Sequence, residues 1–246
     1  MGETRVGVIG AGVMGSGIAQ TLATGGFPTV CCDLAKDALE KAQRDVVSGR
    51  YGLDRGVERG KLTREQADAA LARLSFTDSF EEAAAADLVV ECVPERLDLK
   101  LRLFRDLDRA AAPAAVLASN TSGFPIAALA AATERPERVI GWHWASPPPV
   151  MRFAELVVTP ATGEQAVALV RDTARACGKN PIVVKDAPMA WGFVANRVYF
   201  AMIREAQRVV DEGVASPEDV NQLMVDCFNW PVGPFAMVKG ATTGWQ

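Results

Sequence analysis

Along the first three quarters of the chain, short apolar runs alternate with stretches whose apolar residues recur every three to four positions. Thr4 to Gly10 (TRVGVIG), Phe27 to Asp33 (FPTVCCD) and Ala86 to Val93 (ADLVVECV) are apolar on both faces, as buried parallel strands are. Ala115 to Ala118, Arg138 to Ala145, Arg152 to Val158 and Pro181 to Lys185 read as further strands. Helical patterns separate them. One runs from about Val13 to Thr24 and stops at Gly25-Gly26, and another runs from Ala35 to about Arg50. Thr63 opens a third (TREQADAALARL), with Gln66 at the capping-box position. Asp98 to Ala111 and Glu164 to Cys177 follow, the latter stopped by Gly178. From Phe193 onward only helical patterns remain, roughly Phe193 to Glu212 and Pro217 to Phe228. Strands alternating with helices, then helices alone, predict an α/β domain followed by a small all-α C-terminal domain.

Composition refines this picture. The chain has 246 residues, 49% of them apolar and 23% charged, enough for a sizeable core and ordinary for a globular protein. A net charge of −4 gives no footprint for nucleic acid or an anionic membrane. The uncharged stretch Ala110 to Thr133 carries Ser119, Asn120, Thr121, Ser122, Gly123 and Pro125 at its middle, so it reads as strand, polar loop and helix, not as a membrane span. The single histidine excludes any multi-histidine metal site, and no metal is expected. Five cysteines, none in a C-x-x-C pair, read as reduced residues of a cytoplasmic protein, with a reactive thiol as the alternative.

Gly10-Ala11-Gly12-Val13-Met14-Gly15 fits G-x-G-x-x-G between a strand and a helix, the context in which this motif binds a dinucleotide. Gly10 permits the tight turn, Gly12 lets backbone approach a pyrophosphate, and Gly15 lets helix and strand pack closely. The helix N-terminus, with Val13 and Met14, then offers N–H groups to the phosphates. Asp33 ends the next strand, 18 residues after Gly15. Its carboxylate would accept from a ribose 2′-hydroxyl and repel a 2′-phosphate, which predicts NAD over NADP; FAD uses a similar fingerprint. The fold is therefore expected to be a Rossmann-type NAD-binding domain over residues 1–186, with the helical domain over residues 187–246.

His143 lies at the end of a strand, in Gly141-Trp142-His143-Trp144-Ala145, and Pro147 to Pro149 force a turn after it. Antiparallel partners share a constant index sum. A reversal centred on Pro149 puts His143 opposite Glu155, six residues away on the other side. A carboxylate there would fix the tautomer of the imidazole and stabilise its protonated form.

With these residues in place, the sequence resembles the 3-hydroxyacyl-CoA dehydrogenase family along nearly its whole length. Gly10 to Ala19 (GAGVMGSGIA) looks like the family's cofactor loop. Val89 to Lys100 (VVECVPERLDLK) looks like the segment in which Glu95 and Lys100 match residues contacting the nicotinamide half of NAD. Ser119 to Ser122 (SNTS) matches the motif of the catalytic serine, and Gly141 to Met151 (GWHWASPPPVM) resembles the segment of the catalytic histidine. Gly192 to Arg197 (GFVANR) matches the motif of the catalytic asparagine, and Pro231 to Phe235 (PVGPF) resembles one from the helical domain. The resemblance implies that His143 is the proton-transferring base, oriented by Glu155. It implies that Ser122 and Asn196 hydrogen-bond the substrate oxygen, that Ser146 lies by the cofactor, and that the protein is a homodimer.

Some positions depart from the family pattern. Ser146 stands where asparagine is usual, Met189-Ala190-Trp191 looks like an insertion, and the helical domain looks shortened. Trp142 and Trp144 either reshape the acyl pocket or pack in the core. Arg55, Arg59 and Lys61 cluster where the family's helical hairpin meets CoA, so they are candidate phosphate contacts, or else a solvated face. The expected substrate is an L-3-hydroxyacyl-CoA. Rival readings are a carrier-bound or free 3-hydroxy acid, and a catalytically silent NAD-binding protein.

Overall fold

The computed structural model describes residues 4–243. Its chain divides into two compact units, residues 1–193 and 194–246. The expected boundary at residue 187 falls a few residues earlier. Phe193 is carried into the first unit because its side chain joins a buried cluster there.

The first unit is built on one eight-stranded sheet. Its strands are β1 (Val6–Ile9), β2 (Thr29–Cys32), β3 (Leu74–Thr77), β4 (Leu88–Glu91), β5 (Val116–Ser119), β6 (Val139–Trp144), β7 (Phe153–Val158) and β8 (Asn180–Lys185). Their order is β3-β2-β1-β4-β5-β6-β7-β8. The pairs from β3 to β6 are parallel, β7 runs antiparallel to β6, and β8 is parallel to β7. The first six strands thus have the order of a doubly wound dinucleotide-binding sheet, whose crevice opens at the carboxyl ends of β1 and β4.

The helices of this unit are α1 (Val13–Thr24), α2 (Lys36–Ser48), α3 (Leu53–Glu58), α4 (Arg64–Ala72), α5 (Phe80–Ala84), α6 (Leu97–Ala110), α7 (Ile126–Ala130) and α8 (Glu164–Ala176). Each face of the sheet has its own core. Ile18 and Leu22 of α1 pack with Val8, Ile140, Trp142 and Trp144 on one side. Phe104 and Leu107 of α6 pack with Val89, Leu117 and Phe193 on the other. Thr63 caps α4 as the sequence predicts: its hydroxyl accepts from Gln66 N–H at 3.2 Å while Gln66 Oε1 accepts from Thr63 N–H at 2.9 Å. That helix ends at Ala72, and Leu74 already belongs to β3. The edge strand β3 and the short α3 and α5 go beyond the sequence reading. β3 is a half-buried four-residue strand running straight on from α4, too short to show its own period.

The second unit holds α9 (Val194–Asp211), α10 (Pro217–Phe228) and α11 (Pro234–Thr243). Ser216 and Asp219 form a capping box at the start of α10, followed by Pro217 at the first helical position. Among the described residues, no helix is long and apolar enough to cross a membrane.

Candidate active site

The carboxyl ends of β1, β2, β4 and β5 open onto a groove of about 1170 Å³ lined by Gly10, Gly12, Val13, Met14, Asp33, Glu95, Asn120 and Ser122, among others. The three glycines of the entry turn differ in what surrounds them. Gly10 adopts φ +106°, a region open to glycine, and a side chain there would lie 2.7 Å from the Cys92 carbonyl. A Cβ on Gly15 would lie 1.7 Å from the Gly10 carbonyl, so α1 packs on its own entry turn at backbone distance. A Cβ on Gly12 would meet no atom within 4 Å. No protein neighbour requires Gly12 to be small, so the space it leaves is available to a ligand.

The start of α1 is suited to an anion. Gly12, its N-cap, supplies no side-chain acceptor, and the first turn carries no acidic residue. The helix therefore offers its first N–H groups and positive end to a bound phosphate. Asp33 is held by two backbone donors: Ala11 N–H reaches Oδ2 at 2.8 Å and Ala35 N–H reaches Oδ1 at 3.0 Å. These bonds tie the glycine loop to the end of β2. They present a carboxylate in the groove wall, where it can accept from ribose hydroxyls. This donor and acceptor set fits a dinucleotide.

Beneath the groove lies a buried ionic chain. Lys100 and Glu91 are 1% and 0% exposed. Lys100 Nζ is 2.6 Å from Glu91 Oε1, 3.1 Å from Glu95 Oε2 and 3.2 Å from the Val93 carbonyl. Glu91 also accepts from Ser119 Oγ at 2.6 Å and Val93 N–H at 2.8 Å. Burial pushes the Glu91 carboxyl above its usual range, against the opposing pull of Lys100 and these donors. Glu95 Oε1 in turn accepts from Thr121 Oγ1 at 2.6 Å and Ser122 N–H at 2.9 Å. The structure thus places Glu95 on the groove wall and Lys100 behind it, with protein groups around its ammonium. Glu91 is a member of this chain that the sequence reading missed. A signal was present: Lys100, Phe104 and Leu107 form the buried stripe of α6, so Lys100 needs a buried partner.

His143 and Glu155 are directly opposed across β6 and β7, the register expected from the proline turn. His143 Nδ1 lies 2.9 Å from Glu155 Oε2, with both residues buried. A carboxylate only accepts, so Nδ1 carries the proton and Nε2 presents its lone pair. Phe153 and Phe193 meet the imidazole edge-on, at ring-centroid distances of 5.2 and 5.8 Å. One residue further on, the Trp144 N–H donates to Asn120 Oδ1 at 3.0 Å. Asn120, which also lines the groove, therefore ties the serine loop to the histidine strand, a link the sequence did not reveal.

Trp142 and Trp144 point to the opposite sheet face from His143, as alternation requires, and pack in the α1-side core. They do not line the groove. Lys179 stands under the same hairpin. Its Nζ donates to the carbonyls of Pro148 at 2.6 Å and Met151 at 2.8 Å, and it lies 5.2 Å from the Trp144 ring. Burial pulls this ammonium below its usual value.

The other expected site residues are placed elsewhere. Ser146 precedes a cis Ser146–Pro147 bond and lines a smaller recess with Val13, Ser16 and Gly17. Arg55, Arg59 and Lys61 line a separate recess of about 270 Å³, with Thr21, Tyr51 and Pro149. Arg55 also pairs with Glu58 at 2.6 Å. Asn196 belongs to the first turn of α9, in the second unit. All five cysteines are free thiols.

Comparison with known proteins matches this geometry to a family. Residues 5–187 match the model of the 3-hydroxyacyl-CoA dehydrogenase NAD-binding domain, and residues 192–245 match that of the C-terminal domain. A probable 3-hydroxybutyryl-CoA dehydrogenase of Bacillus subtilis is 42% identical over 94% of this chain and 78% of its own length. The 5-formyl-3-hydroxy-2-methylpyridine 4-carboxylate 5-dehydrogenase of Mesorhizobium japonicum is 38% identical over 93% of this chain and 71% of its own. The crystal structure of the (S)-3-hydroxybutyryl-CoA dehydrogenase from Ralstonia eutropha superposes with a TM-score of 0.90 at 39% identity, covering 96% of this chain and 81% of that one. The chain belongs to the 3-hydroxyacyl-CoA dehydrogenase family and is an NAD-dependent oxidoreductase.

Proposed function

We propose that this enzyme interconverts L-3-hydroxyacyl-CoA and 3-oxoacyl-CoA, with His143 as the proton-transferring group. The observation that carries the reading is the buried His143–Glu155 pair, tied to the groove through Trp144 and Asn120. NAD bound in the groove supplies the acceptor for the hydride that leaves C3 of the substrate. In oxidation, His143 Nε2 takes the hydroxyl proton, and Glu155 stabilises the imidazolium that results. In reduction the same nitrogen returns the proton to the carbonyl oxygen. Ser122 and Asn196 hydrogen-bond the substrate oxygen and favour its developing negative charge. Glu95 holds the Ser122 backbone in place, and Lys100 acts by holding Glu95. Gly12 and the start of α1 receive the pyrophosphate and Asp33 the adenosine ribose, which favours NAD over NADP.

His143→Gln is expected to abolish turnover of acetoacetyl-CoA while NAD affinity stays near wild type. Wild-type turnover in that variant would overturn the role of His143. A second reading rests on the Mesorhizobium relative, named for a pyridine carboxylate and not for a thioester. A panel of CoA esters, carrier-bound esters, free 3-hydroxy acids and that pyridine carboxylate separates the two, with the highest kcat/KM expected on the CoA esters.

Arg55, Arg59 and Lys61 are proposed contacts for the CoA phosphates, and Ser146 for the cofactor. A cytoplasmic location is supported by the free thiols. A homodimer is supported by the exposed apolar side chains of Val198, Leu223 and Phe228 in the helical unit.

A further inference from the structure

The segment that ends the first unit touches both proposed catalytic side chains' surroundings. At one end, Trp191 sits on Gly123, the residue after Ser122. A Cβ on Gly123 would lie 2.7 and 2.8 Å from Cε2 and Cδ2 of Trp191 and 2.4 Å from Gly192 N. The indole's ring-fusion bond therefore occupies the space where a side chain at 123 would stand. A side chain at 123 would collide with both the Gly192 backbone and this indole. At the other end, Phe193 presents its ring to His143 at 5.8 Å. Three consecutive residues, Trp191-Gly192-Phe193, thus run from the serine loop to the histidine.

The two aromatic residues differ in exposure. Phe193 is 5% exposed and belongs to the core, whereas Trp191 is 53% exposed. The indole lies on backbone with half its surface open, one residue from Ser122, the hydroxyl proposed above to meet the substrate oxygen. Adjacent Cα atoms are about 3.8 Å apart, so the Ser122 hydroxyl and the indole seated on Gly123 belong to neighbouring residues of one loop. The acyl substituent is the apolar part of the proposed substrate nearest its reacting carbon.

We propose that Trp191 is a specificity-determining residue, whose indole, seated on Gly123, limits the length of the acyl substituent that the site accepts. The proposal rests on the 3-hydroxyacyl thioester reading above. Each additional methylene that an apolar site must accommodate or refuse changes kcat/KM by roughly tenfold or more.

The test compares wild type, Trp191→Phe and Trp191→Ala on 3-oxoacyl-CoAs of four, eight and ten carbons with NADH. In Trp191→Ala the kcat/KM ratio of the ten-carbon to the four-carbon substrate should rise about tenfold or more, with Trp191→Phe intermediate. NAD affinity and melting temperature serve as controls and should change little. A uniform change across chain lengths in both variants, or no change, overturns the proposal. Trp191→Phe keeps a flat ring on Gly123, so it still reports if the alanine variant folds poorly. If wild type turns over none of these thioesters, the substrate reading fails, an outcome distinct from a flat variant profile.

Discussion

His143 and Glu155 are linked across one rung of an antiparallel pair, Nδ1 to Oε2, at 2.9 Å inside the protein. The carboxylate fixes which nitrogen is protonated, so its loss should act on chemistry and leave cofactor binding alone. Glu155→Gln can still form a hydrogen bond, but it cannot stabilise the imidazolium. Its kcat is expected to fall by about 10²-fold or more, with NAD affinity within a few-fold of wild type. Steady-state kinetics together with fluorescence titration of NADH check both halves. A variant with unchanged kcat would remove Glu155 from the mechanism.

Gly12 and Gly15 should respond to alanine in opposite ways. At Gly12 the added methyl meets no protein atom, so the variant should melt near wild type and lose NAD affinity. At Gly15 it meets the Gly10 carbonyl at 1.7 Å, so stability should fall by about 1–3 kcal/mol. Thermal melts with and without NAD separate the two effects. Loss of stability at Gly12 with NAD affinity intact would contradict the assignment.

Lys100 is expected to matter as much for folding as for activity. Lys100→Met leaves Glu91 in the core with its ionic partner gone, at a cost of about 3–5 kcal/mol. The double variant Glu91→Gln, Lys100→Met removes both charges and should recover part of that loss. Denaturant unfolding of the three proteins reads it directly. If the double variant were less stable than the single one by the full cost of a second independent change, the two residues would not be coupled.

Burial pushes the Cys31 and Cys177 thiols up to about 12 and Cys32 to about 11, against a usual value of 9.0. The folded state thus keeps these protons after the unfolded chain has lost them. The stability they contribute is complete below pH 9 and is lost as pH rises towards 11 and 12. The denaturation midpoint should fall steadily across that window, and Cys31→Ala should flatten the slope. At pH 8 a thiol reagent should modify the exposed Cys227 first and reach Cys31 and Cys32 only on unfolding.

The sequence was most informative where local geometry dictates the answer. Three prolines and an index sum put His143 opposite Glu155, and the end of β2 put Asp33 beside the glycine turn. It was least informative where a residue's role depends on distant neighbours. The resemblance implies a cofactor contact for Lys100, whereas β4 brings Glu91 to its ammonium and β5 brings Ser119 to the other oxygen of Glu91. Asn120 gains its role only when β6 supplies the Trp144 N–H. The two tryptophans left two meanings open, and the pleat alone decides that they face the core.

The hairpin that carries His143 also closes a shorter loop than three of the ties around the groove. The histidine and its carboxylate are 12 residues apart along the chain. The tie between Asp33 and the glycine loop spans 22 residues, that between Glu95 and Ser122 27, and that between Ser119 and Glu91 28. Closing a short loop loses less chain entropy, and hairpins form on the order of microseconds. The proton-handling pair can therefore assemble within one hairpin, ahead of the parallel pairings that build the groove. A refolding chain should regain the buried imidazole contact before it regains affinity for its cofactor.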